Sequence, residues 1–93
     1  MNLDQTIAFS PQVISQEVAG ETVLLDLESE FYFGLDAVGT RIWQLIGETG
    51  ELRKIYTTLL EEYEVDEAQL LTDLEALITE ACEQGLVTLQ EKL

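Results

Sequence analysis

The sequence has no histidine and only one cysteine, so it lacks the side chains that most enzymes and zinc sites use. Histidine is the commonest general acid–base group, and zinc is held by clusters of cysteine and histidine. Cys82 lies in a helical pattern between Glu80 and Glu83, and acidic neighbours disfavour the reactive thiolate. A lone cysteine cannot form an internal disulfide, which is typical of the reducing cytoplasm. We therefore predict a non-catalytic, cytoplasmic protein without a metal or other cofactor.

Basic residues are also scarce, at 4 Lys and Arg against 19 Asp and Glu, which gives a net charge of -15. Nucleic acids and anionic membrane surfaces are bound by clustered Lys and Arg, so both are disfavoured as partners. The sequence has no apolar run long enough to cross a membrane, and its N-terminus lacks the pattern of a signal peptide. A cationic peptide or protein would be attracted, although acidity can also serve solubility alone.

The first part of the chain has the short apolar runs and turn residues of an antiparallel meander. Turns are predicted at Ala19-Gly20-Glu21 and at Leu27 to Glu30. Pro11 has no backbone donor and should precede the first strand or lie at an edge. Ile7 and Phe9 are predicted to form an irregular or strand-like lead-in. The three predicted strands cover residues 13–18, 22–26 and 31–35.

The second part has the apolar spacing of helices. Asp36 and Asp66 are suitable N-caps, and Gly85 is a suitable helix stop. Trp43 is expected to face the sheet as a core residue. Gly47 and Gly50 mark the first break, and residues 86–89 are either a short final strand or an extended tail. The predicted helices cover residues 37–46, 51–62 and 66–84.

Together these elements predict one α+β domain over residues 1–93. A three-stranded antiparallel sheet at about residues 12–35 is followed by three helices at about residues 37–84. This order resembles a winged helix-turn-helix with its sheet moved to the N-terminus.

The third strand is the first candidate binding element. If the strands lie in chain order, it forms a sheet edge, where free N–H and C=O groups can accept a foreign strand. No Lys, Pro or evident bulge protects this edge. Its inward aromatic side chains are more simply core residues, so the binding prediction concerns mainly the backbone. The strand consists of Phe31, Tyr32, Phe33, Gly34 and Leu35.

The third helix is the second candidate, because its apolar arc is wider than a minimal packing stripe. One margin could line a groove beside the edge strand, with Leu70, Leu74 and Leu77 as the residues concerned. The simpler alternative is that the whole stripe packs on the other helices and the sheet. The stripe consists of Leu70, Leu71, Leu74, Leu77, Ile78, Ala81 and Cys82.

Several of these segments resemble the PqqD-like family, the recognition domains of ribosomally made, post-translationally modified peptides. The resemblance covers roughly residues 22–87. It differs at Glu30, where the family often has glycine, and at Asp36, where it often has asparagine. The matching residues are Leu24-Leu25-Asp26, Phe31 to Asp36, Gly39, Ile42-Trp43, Asp73-Leu74 and Gly85-Leu86-Val87.

The resemblance implies that the chain binds the leader segment of a precursor peptide as an added strand. The leader would lie beside the third strand and against the third helix, where Asp73 joins the apolar candidates. Such a domain is not catalytic and brings the leader to a leader peptidase or another modifying enzyme. A lasso-peptide system is favoured, and pyrroloquinoline quinone biosynthesis is the alternative.

Two other classes of function stay open. A degenerate winged-helix transcriptional regulator would use its third helix to read DNA, but residues 66–84 contain six acidic and no basic side chains. A structural adaptor would bind a folded partner through its acidic surface, and its binding should weaken steeply with salt.

Overall fold

The computed structural model describes residues 2–91, so Met1, Lys92 and Leu93 of the predicted domain lie outside the described residues. Five strands and three helices follow one another along these residues. Their bounds are β1 Gln5–Phe9, β2 Val13–Val18, β3 Glu21–Asp26, β4 Tyr32–Leu35, α1 Ala37–Glu48, α2 Leu52–Glu62, α3 Glu67–Glu83 and β5 Val87–Glu91.

The predicted meander is confirmed, since β2, β3 and β4 form an antiparallel sheet in that order. The first turn is tight because Ala19 and Gly20 both have positive φ, at 55° and 83°. Two consecutive positive φ values match the twist of a two-residue hairpin. In the second turn, the Asp26 carboxylate accepts the N–H of Glu28, and Glu30 has a φ of 64°. Glycine adopts that conformation without strain, which accounts for its frequent presence at this turn in the resembled family.

A second sheet joins the two ends of the described chain. The lead-in predicted at Ile7 and Phe9 belongs to β1, which pairs antiparallel with β5. Of the two alternatives for residues 86–89, the final strand is the correct one, and Phe9 lies opposite Val87. The C-terminal tail therefore does not cover β4 within the described residues. Phe9 also stacks on Trp43 with ring centroids 4.4 Å apart, which ties β1 to α1.

Both predicted N-caps are confirmed. The Asp36 carboxylate accepts the N–H of Gly39 at 2.8 Å, and Asp66 accepts that of Gln69 at 3.0 Å. These bonds satisfy donors that the first helical turn leaves unpaired. The first helix continues past its predicted end through Gly47 to Glu48, so the break lies at Gly50 alone, with a φ of 68°.

The core lies between the inner face of the three-stranded sheet, the β1–β5 ribbon and the helices. Among the described residues, its completely buried large side chains include Leu24 of β3 and Leu74 of α3. Trp43 is only half-buried and packs against the margin of this core. None of the helices in the described part of the chain is long and apolar enough to cross a membrane. The buried apolar residues are Ile7, Leu24, Ile42, Leu45, Ile46, Leu52, Ile55, Leu59, Leu70, Leu74, Ile78, Leu86 and Val87.

A surface ion pair joins α1 to α2. The Arg41 guanidinium donates to both carboxylate oxygens of Glu62, at 2.8 and 2.6 Å. This bidentate hydrogen bonding is the main reason that the pKa of Glu62 lies below its ordinary value. The pair holds the first two helices together at the surface.

Candidate functional site

The open edge of β4 is the first part of the site. In the described sheet, β4 has β3 on one side and no strand on the other. The N–H of Asp26 donates to the carbonyl of Phe31 at 3.0 Å, at the position that continues the β3–β4 register. Bonded and non-bonded pairs alternate in an antiparallel ladder, so Phe33 and Leu35 also turn their backbone groups toward β3. Tyr32 and Gly34 consequently direct their N–H and C=O groups toward the open edge.

The side chains of β4 alternate in the same way. Phe33 lies opposite the completely buried Leu24, and both Phe33 and Leu35 are half-buried on the inner face. Tyr32 is 71% exposed on the outer face. Phe31, which precedes the strand, is 65% exposed. One face of the strand therefore packs toward the core, and the other face is exposed to solvent.

An apolar depression, here called the α3–β4 cleft, lies between this strand and the third helix. Its cavity volume is about 150 Å³. Phe33, Gly34 and Leu35 form one wall. The floor includes Leu24, Ile42, Trp43, Ile46 and Val87, and the α3 wall is formed by Leu77, Ile78, Glu80, Ala81 and Gln84.

A second depression, here called the α1–α3 cavity, continues along the helix toward its N-terminus. Its cavity volume is about 300 Å³, and its α3 lining is Gln69, Leu70, Asp73, Leu74 and Leu77. Leu77 lines both depressions, together with Gly39 and Ile42 of α1. The two depressions therefore adjoin at Leu77 and are together called the groove, and only the α3–β4 cleft is lined by β4 residues.

The predicted α3 residues differ in their exposure to this groove. Leu77 is half-buried, whereas Leu70 is 8% exposed and Leu74 is completely buried. A glutamate at position 74 would therefore test folding rather than binding. Asp73 is exposed, and its carboxylate accepts a hydrogen bond from Gln69 at 2.9 Å.

Sequence reasoning did not identify the C-terminal half of α3 as part of the groove. Glu80, Ala81 and Gln84 extend the wall by more than one turn beyond Leu77. Spacings of three, four and seven residues from Leu77 place them on its face of the helix. Ala81 already belongs to the predicted apolar stripe, whereas Glu80 and Gln84 were left out of it because they are polar. Trp43, predicted as a core residue, also lines the α3–β4 cleft.

The charged side chains that line the groove are all acidic: Asp36, Asp73 and Glu80. The basic residues in the described range lie elsewhere. Arg41 pairs with Glu62, Arg53 with Asp4, and Lys54 with Glu51. The groove is therefore apolar with an acidic rim, which suits an apolar peptide segment with neutral or positive flanks.

Residues 2–91 contain no group of three side chains suited to hold a metal ion. Cys82 is half-buried and free, and burial raises the pKa of its thiol above the ordinary value. Its thiol is therefore protonated at neutral pH and a poor nucleophile. The groove offers backbone hydrogen bonds and apolar surface rather than reactive groups.

Comparison with known proteins agrees with this geometry. A family model described as coenzyme PQQ synthesis protein D matches residues 21–87. The structure titled "TbiB1 in Complex with the TbiA(beta) Leader Peptide" has a TM-score of 0.83 and 36% identity, covering 86% of this chain and 93% of that one. "Lasso peptide synthetase B1 complexed with the leader peptide" has a TM-score of 0.81 and 25% identity, covering 89% and 98%. A search of curated proteins finds no match. The resemblance predicted over residues 22–87 is confirmed, and the chain belongs to the PqqD family.

Proposed function

We propose that this chain binds the leader segment of a ribosomally made precursor peptide and presents it to a separate modifying enzyme or leader peptidase. The observation that carries the proposal is the open edge of β4 beside an apolar groove. The free backbone groups of Tyr32 and Gly34 supply hydrogen bonds for an added strand, and the groove takes up its inward side chains. Two relatives of the same fold are complexes with leader peptides.

A lasso-peptide system is the favoured context, because both of those relatives are B1 proteins of leader complexes and one is named a lasso peptide synthetase component. The family description favours the alternative, a precursor of pyrroloquinoline quinone. Titration with a synthetic leader of each type distinguishes them. The lasso leader should bind at least tenfold more tightly.

The proposed role is binding without catalysis, in the cytoplasm where precursor peptides leave the ribosome. The chain has no histidine to act as a general base, and burial raises the pKa of the Cys82 thiol above its ordinary value. Incubating the pure protein with its precursor should leave the mass of the precursor unchanged. A change of mass that persists in a Cys82→Ala variant free of contaminants would contradict the proposal.

Trp43 offers a direct readout of binding, because it is the only tryptophan and lines the α3–β4 cleft. A synthetic leader should change its emission with saturable dependence on concentration, and calorimetry should give the same Kd. A DNA duplex at low salt should leave the emission unchanged, as α3 has no basic residue.

Two glutamate variants test whether the groove is the site. Leu77→Glu places a charge where both depressions meet, and it should weaken leader binding tenfold or more because the charge loses water on binding. Leu71→Glu is the matched control, since Leu71 is also half-buried on α3 but lies outside both depressions. Equal leader affinity for the two variants, when both are folded, would place the leader elsewhere.

A further inference from the structure

The outer face of the three-stranded sheet is apolar and uncovered in the described residues. Residues directly opposite each other in a sheet share a face, and Val23 lies opposite both Gln16 and Gly34. The helices pack on the other face, where Leu24 is completely buried. The exposed apolar residues of the outer face are Ile14 at 53%, Val18 at 56%, Val23 at 41% and Tyr32 at 71%.

Gly34 lines a shallow depression on this face. A Cβ built there would meet nothing within 4 Å, and the backbone of Gly34 does not have the positive φ that favours glycine. Glycine inside a strand is less stable than alanine by roughly 0.5–1 kcal/mol. The fold of the free chain therefore gives no reason for the missing side chain. Val18 and Val23 form apolar walls, and Glu21 and Asp36 lie at the rim.

The charges around this face determine which kind of partner can bind to it. The depression has acidic and no basic lining residues, and the basic residues of the described chain are on the helices. A Lys or Arg can lay its aliphatic stem on Val18 and Val23 and carry its charge to the acidic rim. A second copy of this chain is disfavoured, since each copy has a net charge of -15. An anionic membrane is repelled for the same reason.

We propose that this outer face, defined by Ile14, Val18, Val23, Tyr32 and Gly34, docks a folded protein with a Lys or Arg inside an apolar patch. Strand addition uses the backbone groups at the edge of a sheet, so this face offers side-chain contacts instead. The face is continuous with the β4 edge, where an added leader strand would extend it. This inference rests on the proposed function: the partner is the enzyme that acts on the leader-bound precursor. That enzyme contacts the sheet and the leader together.

The binding probe is a purified leader peptidase or other modifying enzyme that acts on the precursor whose leader this chain binds. Val18→Lys combined with Val23→Lys adds two positive charges to the apolar face. Ala76→Lys combined with Thr79→Lys adds the same charge to the exposed face of α3 and is the matched control. Thermal melts identify any variant that fails to fold.

We expect the face variant to bind the enzyme at least tenfold more weakly than the parent, and the control to change by less than about twofold. Both variants should keep the parental Kd for the synthetic leader. Equal enzyme binding by the face variant and the parent overturns the inference, as does failure of the parent to bind the enzyme while it still binds leader. Loss of leader binding in the parent contradicts the proposed function instead. The parent could instead self-associate at high salt, and the face variant could abolish that self-association. This result would show that a second copy of the chain covers the face, and it would also overturn the inference.

Discussion

Replacing Tyr32 and Phe33 by proline, one at a time, separates the two sides of β4. Tyr32 turns its N–H toward the open edge, so Tyr32→Pro removes a donor that only an added strand would use. A leader carbonyl left without that donor loses about 1–3 kcal/mol, which weakens binding roughly 5- to 150-fold. The side chain of Tyr32 is 71% exposed, so its loss should have little effect on stability. Tyr32→Ala keeps the N–H and isolates the effect of the donor.

Phe33→Pro should act on folding instead. Its N–H faces β3, and its half-buried ring packs on the core. Loss of the ladder bond and of the ring should lower the free energy of unfolding by about 3 kcal/mol. For a domain of this size, that corresponds to a fall in Tm of roughly 12–24 °C. Calorimetric titration with a synthetic leader and a thermal melt of each variant measure both effects. The reasoning fails if Tyr32→Pro is folded and binds leader as tightly as Tyr32→Ala.

Three further changes test the fold. Trp43→Ala should lower the free energy of unfolding by about 2–3 kcal/mol, less than for a fully buried ring, because Trp43 is half-buried and stacks on Phe9; a parental melt would refute this packing. Ala19→Asn should raise stability by roughly 0.5–1 kcal/mol, since asparagine tolerates the positive φ of this turn, and a lower midpoint in urea would contradict it. Glu62→Gln should be less stable than the parent at neutral pH, and the difference should shrink as the pH falls below about 4.5. The pKa of Glu62 is lowered, so its pair with Arg41 stabilises the fold only while the carboxylate is charged. If the difference in stability between variant and parent does not change with pH in acid denaturation curves, the pair contributes nothing.

The elements that the sequence predicted well depend on local signals. Asp36 and Asp66 cap helices whether or not the rest of the fold is known, because each carboxylate bonds to an N–H three residues along the chain. The meander likewise follows from short apolar runs and tight turns. Extension of α1 through Gly47 was missed because glycine weakens a helix without ending it, and packing of Ile46 on the core favours the helix there.

The parts that local signals could not predict depend on contacts distant in sequence. Phe9 of β1 pairs with Val87 of β5, which is far away along the chain. The sequence of neither strand predicts which strand it pairs with. The apolar arc of α3 shows which residues are inward but not whether they meet the sheet or α2. For this reason Leu74 was grouped with Leu77, although Leu74 is completely buried and only Leu77 is accessible where the two depressions meet.

Amide hydrogen exchange of β4, with and without leader peptide, tests the central claim most directly. In the free protein, the amides of Phe33 and Leu35 are paired with β3, whereas those of Tyr32 and Gly34 face the open edge. We predict that saturating leader slows exchange at Tyr32 and Gly34 by at least tenfold and changes Phe33 and Leu35 much less. A leader that binds with unchanged exchange at Tyr32 and Gly34 would contradict strand addition at β4.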